Sequence, residues 1–534
     1  MGQGQLRRGI LIGLGLLAAM SVWVIAWLLT QSPLALLLVR HELPPIVGLA
    51  PRSTQALLLL AVPLENLQAF WQAATPASQR RATRQQWRKF FSSEGPGWLG
   101  SLLAGGSLNF EREVQPWLGK STLLASLPEW GTLVALEICK PALAQFELNL
   151  LWERQSLAGL PVQVDTYKGI QVVSSPLPGL PGFAAALFGE RYVLLAEKAA
   201  ALRAAIDAWQ VPQLSLMAEP QFRQVIQALP PAQVGWAFWQ NPQPASAEGL
   251  TLQAVGLGLG VSFQGLLAET AALWHTPANF ALPRSEAFRP QVIGQLPDET
   301  LALVSGRNWA VFWQSLGQVQ PLRLLGLPLD PGQWGPAQVD LDWQRLVPET
   351  GEFALALLPA DGKPAWLWVG KRPEAPTLDE RAIAQGWQVV SMATKHGVAT
   401  AWSKPVVQPL AELVPQNLPA IPKPPLLAQV YHADRDGYSY LASSLAALEA
   451  ALADPPLSAT RAWRRLVAPL PHRNLGYGYG SLGLLETWLP QLSGSRWSST
   501  RFAFATTALK FSEAPYPDRG RWLLQRGKLF WQWY

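Results

Sequence analysis

After residue 40 the sequence says the same thing twice in the same order, and this limits the fold more than any other feature. Ala50–Leu57 (APRSTQAL) has its counterpart in Leu296–Leu303 (LPDETLAL), and the aromatic pair Phe70-Trp71 in Phe312-Trp313. Ser121–Pro128 (STLLASLP) matches Glu352–Pro359 (EFALALLP). Tyr192–Ala196 leads into the helix-like run Glu197–Trp209, as Tyr438–Ala442 leads into Ser443–Ala453. Phe222–Pro230 and Trp463–Pro471 both end in Leu-Pro, and each precedes an alternating strand, Val234–Trp239 and Leu475–Tyr479. The offset stays close to about 240 residues, and colinear matches at a fixed spacing are the mark of an internal repeat. Two homologous lobes, 41–280 and 281–520, are expected.

Within each lobe, period-two runs alternate with one or two amphipathic helices, an α+β pattern with mainly antiparallel pairing. Lys168-Gly169 and Asp436-Gly437 sit between alternating runs, where a tight hairpin turn needs residues that tolerate positive φ. Pro405–Pro425 reads as an extended connector inserted in the second lobe.

The N-terminus raises a different expectation. Gly9 to Val39 holds no charge, and Ile10–Leu29 is almost wholly apolar, about the 20 residues that span a hydrocarbon core. Arg7 and Arg8 precede the run, and Trp23 and Trp27 lie in its second half. The positive-inside rule then keeps the N-terminus cytoplasmic. The expectation is a stub and transmembrane anchor over 1–40, a single pass, and a bulk that is periplasmic or thylakoid-lumenal.

Composition narrows the function classes. The formal charge of +6, from 42 basic and 36 acidic residues, is spread along the chain, whereas nucleic-acid binders carry a denser basic footprint. No nucleic-acid partner is expected. A single cysteine, Cys139, rules out an internal disulfide and any multi-cysteine metal site. Its setting in the alternating run Leu133–Cys139 predicts a small buried core residue.

Leu108–Pro128, and within it Pro116-Trp117-Leu118-Gly119, resembles a stretch of the cyanobacterial domain-of-unknown-function 3352 family. The resemblance implies an N-terminal hydrophobic segment followed by a long exported region. It implies no catalytic residues, since the family has no established activity.

No catalytic, cofactor-binding or metal-binding set is legible. Gly119-Lys120-Ser121 imitates the end of a phosphate loop, but Val114 stands where that loop needs glycine and Pro116 removes a backbone donor. The closely spaced glycines of Gly256–Gly260 lack dinucleotide-fingerprint spacing and suit a strand, Val255–Phe263, approached closely by a neighbour. The histidines, His41, His275, His396, His432 and His472, include no pair at helical metal-ligand spacing. Asp434-Arg435-Asp436-Gly437 carries only part of a calcium loop and fits a hairpin turn. Gly480-Ser481-Leu482-Gly483 falls one residue short of a nucleophile elbow.

Two basic-aromatic surfaces remain. Arg80, Arg81, Arg84, Arg88 and Lys89 lie in 78–91, with Arg80, Arg84 and Arg88 on one helical face. Such a face is either solvated or a site for anionic headgroups or an acidic partner. The tail, 521–534, mixes Arg526 and Lys528 with Trp531 and Trp533; it suits a membrane interface or a last packed strand. Together these features describe a non-catalytic membrane protein that binds or helps assemble a protein partner at the membrane. A carrier or sensor of an apolar ligand, and an exported hydrolase, are the alternatives.

Overall fold

The computed structural model describes residues 33–75, 77, 80–81, 84–85, 109–175, 182–241, 251–262, 264–276, 288–309, 342–348, 350–360, 362–404, 428–453, 456–481, 501–512 and 521–532. The chain divides into two compact units, residues 1–243 with 254–264, and residues 244–253 with 265–534.

Among the described residues the first unit carries nine strands: β1 (Ala56–Leu60), β2 (Leu118–Leu127), β3 (Gly131–Ile138), β4 (Gln163–Tyr167), β5 (Ile170–Ser175), β6 (Phe183–Phe188), β7 (Tyr192–Ala196), β8 (Gly235–Gln240) and β9 (Thr251–Ser262). Their hydrogen-bonded order is β9-β8-β1-β2-β3-β7-β6-β5-β4, antiparallel throughout. Helices α1 (Leu64–Ala74), α2 (Pro141–Leu157), α3 (Ala199–Gln210) and α4 (Pro220–Gln227) lie between strands. All five residues of β7 are buried, so the sheet centre is covered on both faces and reads as continuous apolar sequence rather than alternation. On one face Ala144 and Leu151 of α2 pack with Trp117, Leu136, Phe183 and Val193.

The second unit carries β10 (Gly265–Thr276), β11 (Ala302–Asn308), β12 (Thr350–Ala360), β13 (Lys363–Lys371), β14 (Gln388–Thr394), β15 (Gly397–Ser403), β16 (Ala428–Arg435), β17 (Tyr438–Ala442), β18 (Gly476–Ser481), β19 (Arg501–Ser512) and β20 (Arg521–Gln532). Here the order is β10-β20-β19-β18-β11-β12-β13-β17-β16-β15-β14. From β19 to β14 this is the order found from β9 to β4, element for element. Its longer helices among the described residues are α5 (Leu378–Ala384), α6 (Leu445–Leu452) and α7 (Arg461–Val467), and a single helical turn spans Trp343–Leu346. One face packs under α6 and α7, where Leu448, Trp463 and Leu466 meet Ala356, Leu367 and Tyr440. The opposite face packs under α5 and is rich in tryptophan: Trp309, Trp366, Trp368, Trp387 and Trp402 surround Leu378 and Ala382.

Both expected hairpin turns are present. Lys168-Gly169 joins β4 to β5 with φ of 49° and 80°, and Asp436-Gly437 joins β16 to β17 with 51° and 77°. Glycine at the second position carries the left-handed backbone without a side-chain penalty. Gly256 lies in β9, and a Cβ there would stand 2.3 Å from Val225 Cγ1 of α4.

Several expectations are corrected. The α+β description behind a transmembrane helix gives way to antiparallel sheet, twenty strands among the described residues, with few helices. Period-two signals were diluted in the sequence because the central strands are apolar on both faces. The single-pass arrangement, with its exported bulk, is not what the structure supports: among the described residues no helix is long and apolar enough to cross a membrane. The longest of these, α2, has 17 residues and includes Glu147, Glu153 and Arg154, too short and too charged for a span. The run 10–29 lies outside the described residues, as does the proline-rich segment 405–425. Cys139 is exposed, not buried, because β3 ends at Ile138 and the chain turns there into α2.

Candidate functional site

The residues that combine chemistry with an accessible edge lie around α5, β14, β15 and β16. Helix α5 starts where Thr377 caps it: the Thr377 hydroxyl accepts from Glu380 N–H, and the Glu380 carboxylate accepts from Thr377 N–H. This reciprocal cap fixes the first turn and with it Asp379, the second helical residue. Strand alternation does the rest, because Thr400, Trp402, His432 and Asp434 are all even-numbered positions on one face of paired strands.

Asp379 reaches down to that face. Its Oδ1 accepts from Thr400 Oγ1 at 2.8 Å and from Trp402 Nε1 at 2.7 Å, and it lies 2.8 Å from His432 Nδ1. The other ring nitrogen, His432 Nε2, is 3.2 Å from Asp434 Oδ1. Asp434 accepts from Ser439 Oγ at 2.5 Å and pairs with Arg372 Nε at 3.1 Å. The His432 side chain is 5% exposed, so both nitrogens lie on carboxylates with little solvent in competition.

Burial pulls the His432 pKa down, but its hydrogen bonds to Asp379 and Asp434 outweigh this and hold it above the ordinary histidine value. Burial raises both carboxylates, and hydrogen bonds led by His432 overcome it, leaving Asp379 and Asp434 below the ordinary range. The arrangement is that of an imidazolium donating to two carboxylates. Such a ring has no lone pair to act as a base or to ligate a metal. Among the described residues no group of three or more His, Cys, Asp or Glu side chains could hold a metal ion.

Beside this cluster runs β14, whose ladder partner among the described residues is β15. Thr394 pairs with Gly397 across the two-residue turn Lys395-His396. The closing pair of such a turn bonds to itself, and antiparallel bonding then alternates, so Val389, Ser391 and Ala393 direct N–H and C=O away from β15. No residue of β14 is charged. Val390 is 59% exposed, and Val398 on β15 is 74% exposed. Strand β4 holds the matching place in the first unit but is blunted by charge: Asp165 pairs with Arg203, and Tyr167 and Lys168 both bond to Asp207.

The surfaces singled out in the sequence fall elsewhere. Arg80, Arg81 and Arg84 are helical and exposed, and Arg80 Nε donates to Thr75 O at 3.1 Å; Arg88 and Lys89 lie outside the described residues. The tail is β20, paired on one side with β10 and on the other with β19. Lys528 pairs with Glu269 at 2.8 Å, Trp531 packs on Phe502 at a ring distance of 6.2 Å, and Arg526 is exposed. Trp533 lies outside the described residues. Gly119-Lys120-Ser121 is part of β2, at the irregularity between Leu118 and Thr122 in its ladder with β3, and Ser121 N–H donates to Glu137 Oε2 at 2.9 Å, so the segment is irregular strand and no phosphate loop.

Sequence reading missed the His432 cluster. His432 and Asp434, two apart on a strand, share a face and could have been noticed; Asp379 lies 53 residues from His432, and nothing local points to it.

No curated protein matches the chain. Among solved structures, one titled "Structure of crystal form III of TP0453" matches at 11% identity over 46% of this chain and 83% of that one. Its TM-score is 0.24, too low to carry an argument. The family model described as "Protein of unknown function (DUF3352)" matches residues 10–533, and the chain belongs to that family.

Proposed function

We propose that the chain is a non-catalytic binding module that takes up an extended segment of a protein partner as an added strand along β14. The observation that carries this reading is the β14 edge itself, seven residues long, uncharged, and bonded among the described residues to β15 on one side. An edge of this kind is a template for another strand, and natural sheets usually protect it with charge, proline or a covering element. Backbone bonds supply affinity in strand addition, and alternate side-chain positions supply selectivity. Exposed Val390 and Val398 favour an apolar, uncharged segment. The non-catalytic part rests on the His432 ring, whose two nitrogens are both engaged.

A blocked seven-residue peptide alternating valine and threonine tests this, with the same peptide carrying a central proline as control. Amide exchange of the whole chain should show added protection at Val389, Ser391 and Ala393 with the first peptide and none with the second. In Ser391→Pro, which removes an outward N–H while sparing the ladder to β15, the protection should vanish. Equal protection by both peptides, or none at β14, would rule the reading out. Protection of these amides that depends on chain concentration without peptide would identify a second copy as the occupant.

A further inference from the structure

We propose that the charge on His432 sets how firmly α5 is held against the β14–β15 hairpin, and thereby regulates how readily β14 takes up a strand. The second half of this statement rests on the reading of β14 given above; the first does not.

The geometry is a clamp. Asp379 belongs to α5, Thr400 and Trp402 to β15, and His432 and Asp434 to β16, so one carboxylate oxygen joins three elements. The helix leads through Gly386 and Trp387 directly into β14, with Trp387 buried beside Trp402 in the same core. Anything that loosens Asp379 therefore acts on the root of the edge strand.

Only the doubly protonated ring donates to both carboxylates. A neutral ring keeps one donor and turns a lone pair toward the other carboxylate, replacing attraction with repulsion. The charged groups facing the ring are Asp379 from α5, Asp434 from its own strand, and Arg372, which follows β13 and pairs with Asp434. Strand β15 contributes Thr400 and Trp402, and β17 contributes Ser439, none of them charged. Protonated, the cluster balances two carboxylates against one imidazolium and one guanidinium. Neutral, it holds one uncompensated negative charge in a mostly buried place, which is unfavourable.

The protonated clamp pre-organises β14, and a pre-organised edge binds with a smaller ordering cost. Amide exchange along residues 388–403 of the full chain, corrected for intrinsic rates, reads the clamp without any ligand. Between about pH 6 and about pH 9, opening of the hairpin should increase roughly tenfold, equivalent to about 1.4 kcal/mol. His432→Asn should show a pH-independent profile. Asp434→Asn, which leaves one carboxylate in place, should move the wild-type transition to lower pH. A flat wild-type profile, or a pH dependence that survives in His432→Asn, overturns the clamp. The valine-threonine peptide, added at both pH values, reads the coupling: binding should weaken roughly tenfold at the higher pH, in proportion to the opening. Binding that is equally tight at both values overturns the regulation while leaving the edge intact. Hairpin opening that follows pH, with no peptide binding at either value, upholds the clamp and removes the edge reading alone.

Discussion

Asp379 and His432 lie 53 residues apart in sequence and 2.8 Å apart in the fold, and their pairing fixes the sign of a stability profile. The folded His432 value is raised above 6.5, so its contribution is complete below about pH 6.5 and is lost as pH rises through the folded value. Asp379 and Asp434 are lowered from 3.8, so theirs is present above about pH 3.8 and is lost as pH falls through the folded values. The cluster therefore contributes most between these limits. Thermal midpoints of wild type and His432→Asn, measured across pH, should differ most inside that window and converge on the alkaline side. A difference that grows with rising pH would contradict the assignment.

Trp402 tests the same cluster from the packing side. It is fully buried, its indole N–H donates to Asp379, and its ring lies tilted beside His432 at a centroid distance of 5.5 Å. Trp402→Phe keeps an aromatic ring but removes a hydrogen bond to a charged group, worth about 1.5–3 kcal/mol. Trp402→Ala adds a cavity, for a total of about 3–5 kcal/mol. Denaturant titration should rank the two in that order. Equal, small losses would mean that Asp379 does not depend on the indole.

Strand β18 offers a steric prediction. Gly478 pairs with Phe504 and Gly480 with Phe502, and each phenyl ring lies over the glycine opposite. A Cβ at Gly478 would come within 1.8 Å of the Phe504 ring, and one at Gly480 within 2.6 Å of Phe502. Gly478→Ala should therefore destabilise by overpacking, by about 1–3 kcal/mol. Adding Phe504→Leu should recover part of the loss, and that non-additivity is what the measurement looks for.

What could be read in the sequence followed from how local its cause was. Lys168-Gly169 and Asp436-Gly437 announced their turns because a two-residue hairpin has a chemical requirement at those two positions. Ser121–Pro128 and Glu352–Pro359 pointed to β2 and β12, which take the same place in the two strand orders. Cys139 is exposed where its alternating run predicts burial, because alternation tells which face a residue takes but not where its strand stops. The His432 cluster was out of reach because Asp379 arrives through a helix whose approach to β15 is decided by the tryptophan core beneath it. The β14 edge was equally hidden: an uncharged alternating run looks the same whether it is paired on one side or on both.

The C-terminal segment provides the last prediction. A basic-aromatic tail that touched only solvent or a surface could be removed with little effect on the fold. As β20 it pairs along twelve positions with β10, from Gly265–Gln532 to Thr276–Arg521, and along its other side with β19. Phe530, fully buried, belongs to the core that also contains Tyr440, Leu448 and Trp463. Deleting 521–534 would leave two long strands with unpaired inner edges and remove Phe530, whose truncation to Ala alone costs about 3–5 kcal/mol. Unpaired edges of that length promote aggregation. The shortened chain should lose its cooperative unfolding transition or become insoluble, whereas Lys528→Ala, at a partly exposed ion pair, should cost no more than about 1 kcal/mol. A soluble, cooperatively folding chain without residues 521–534 would mean that β10 and β19 do not depend on β20 for their pairing.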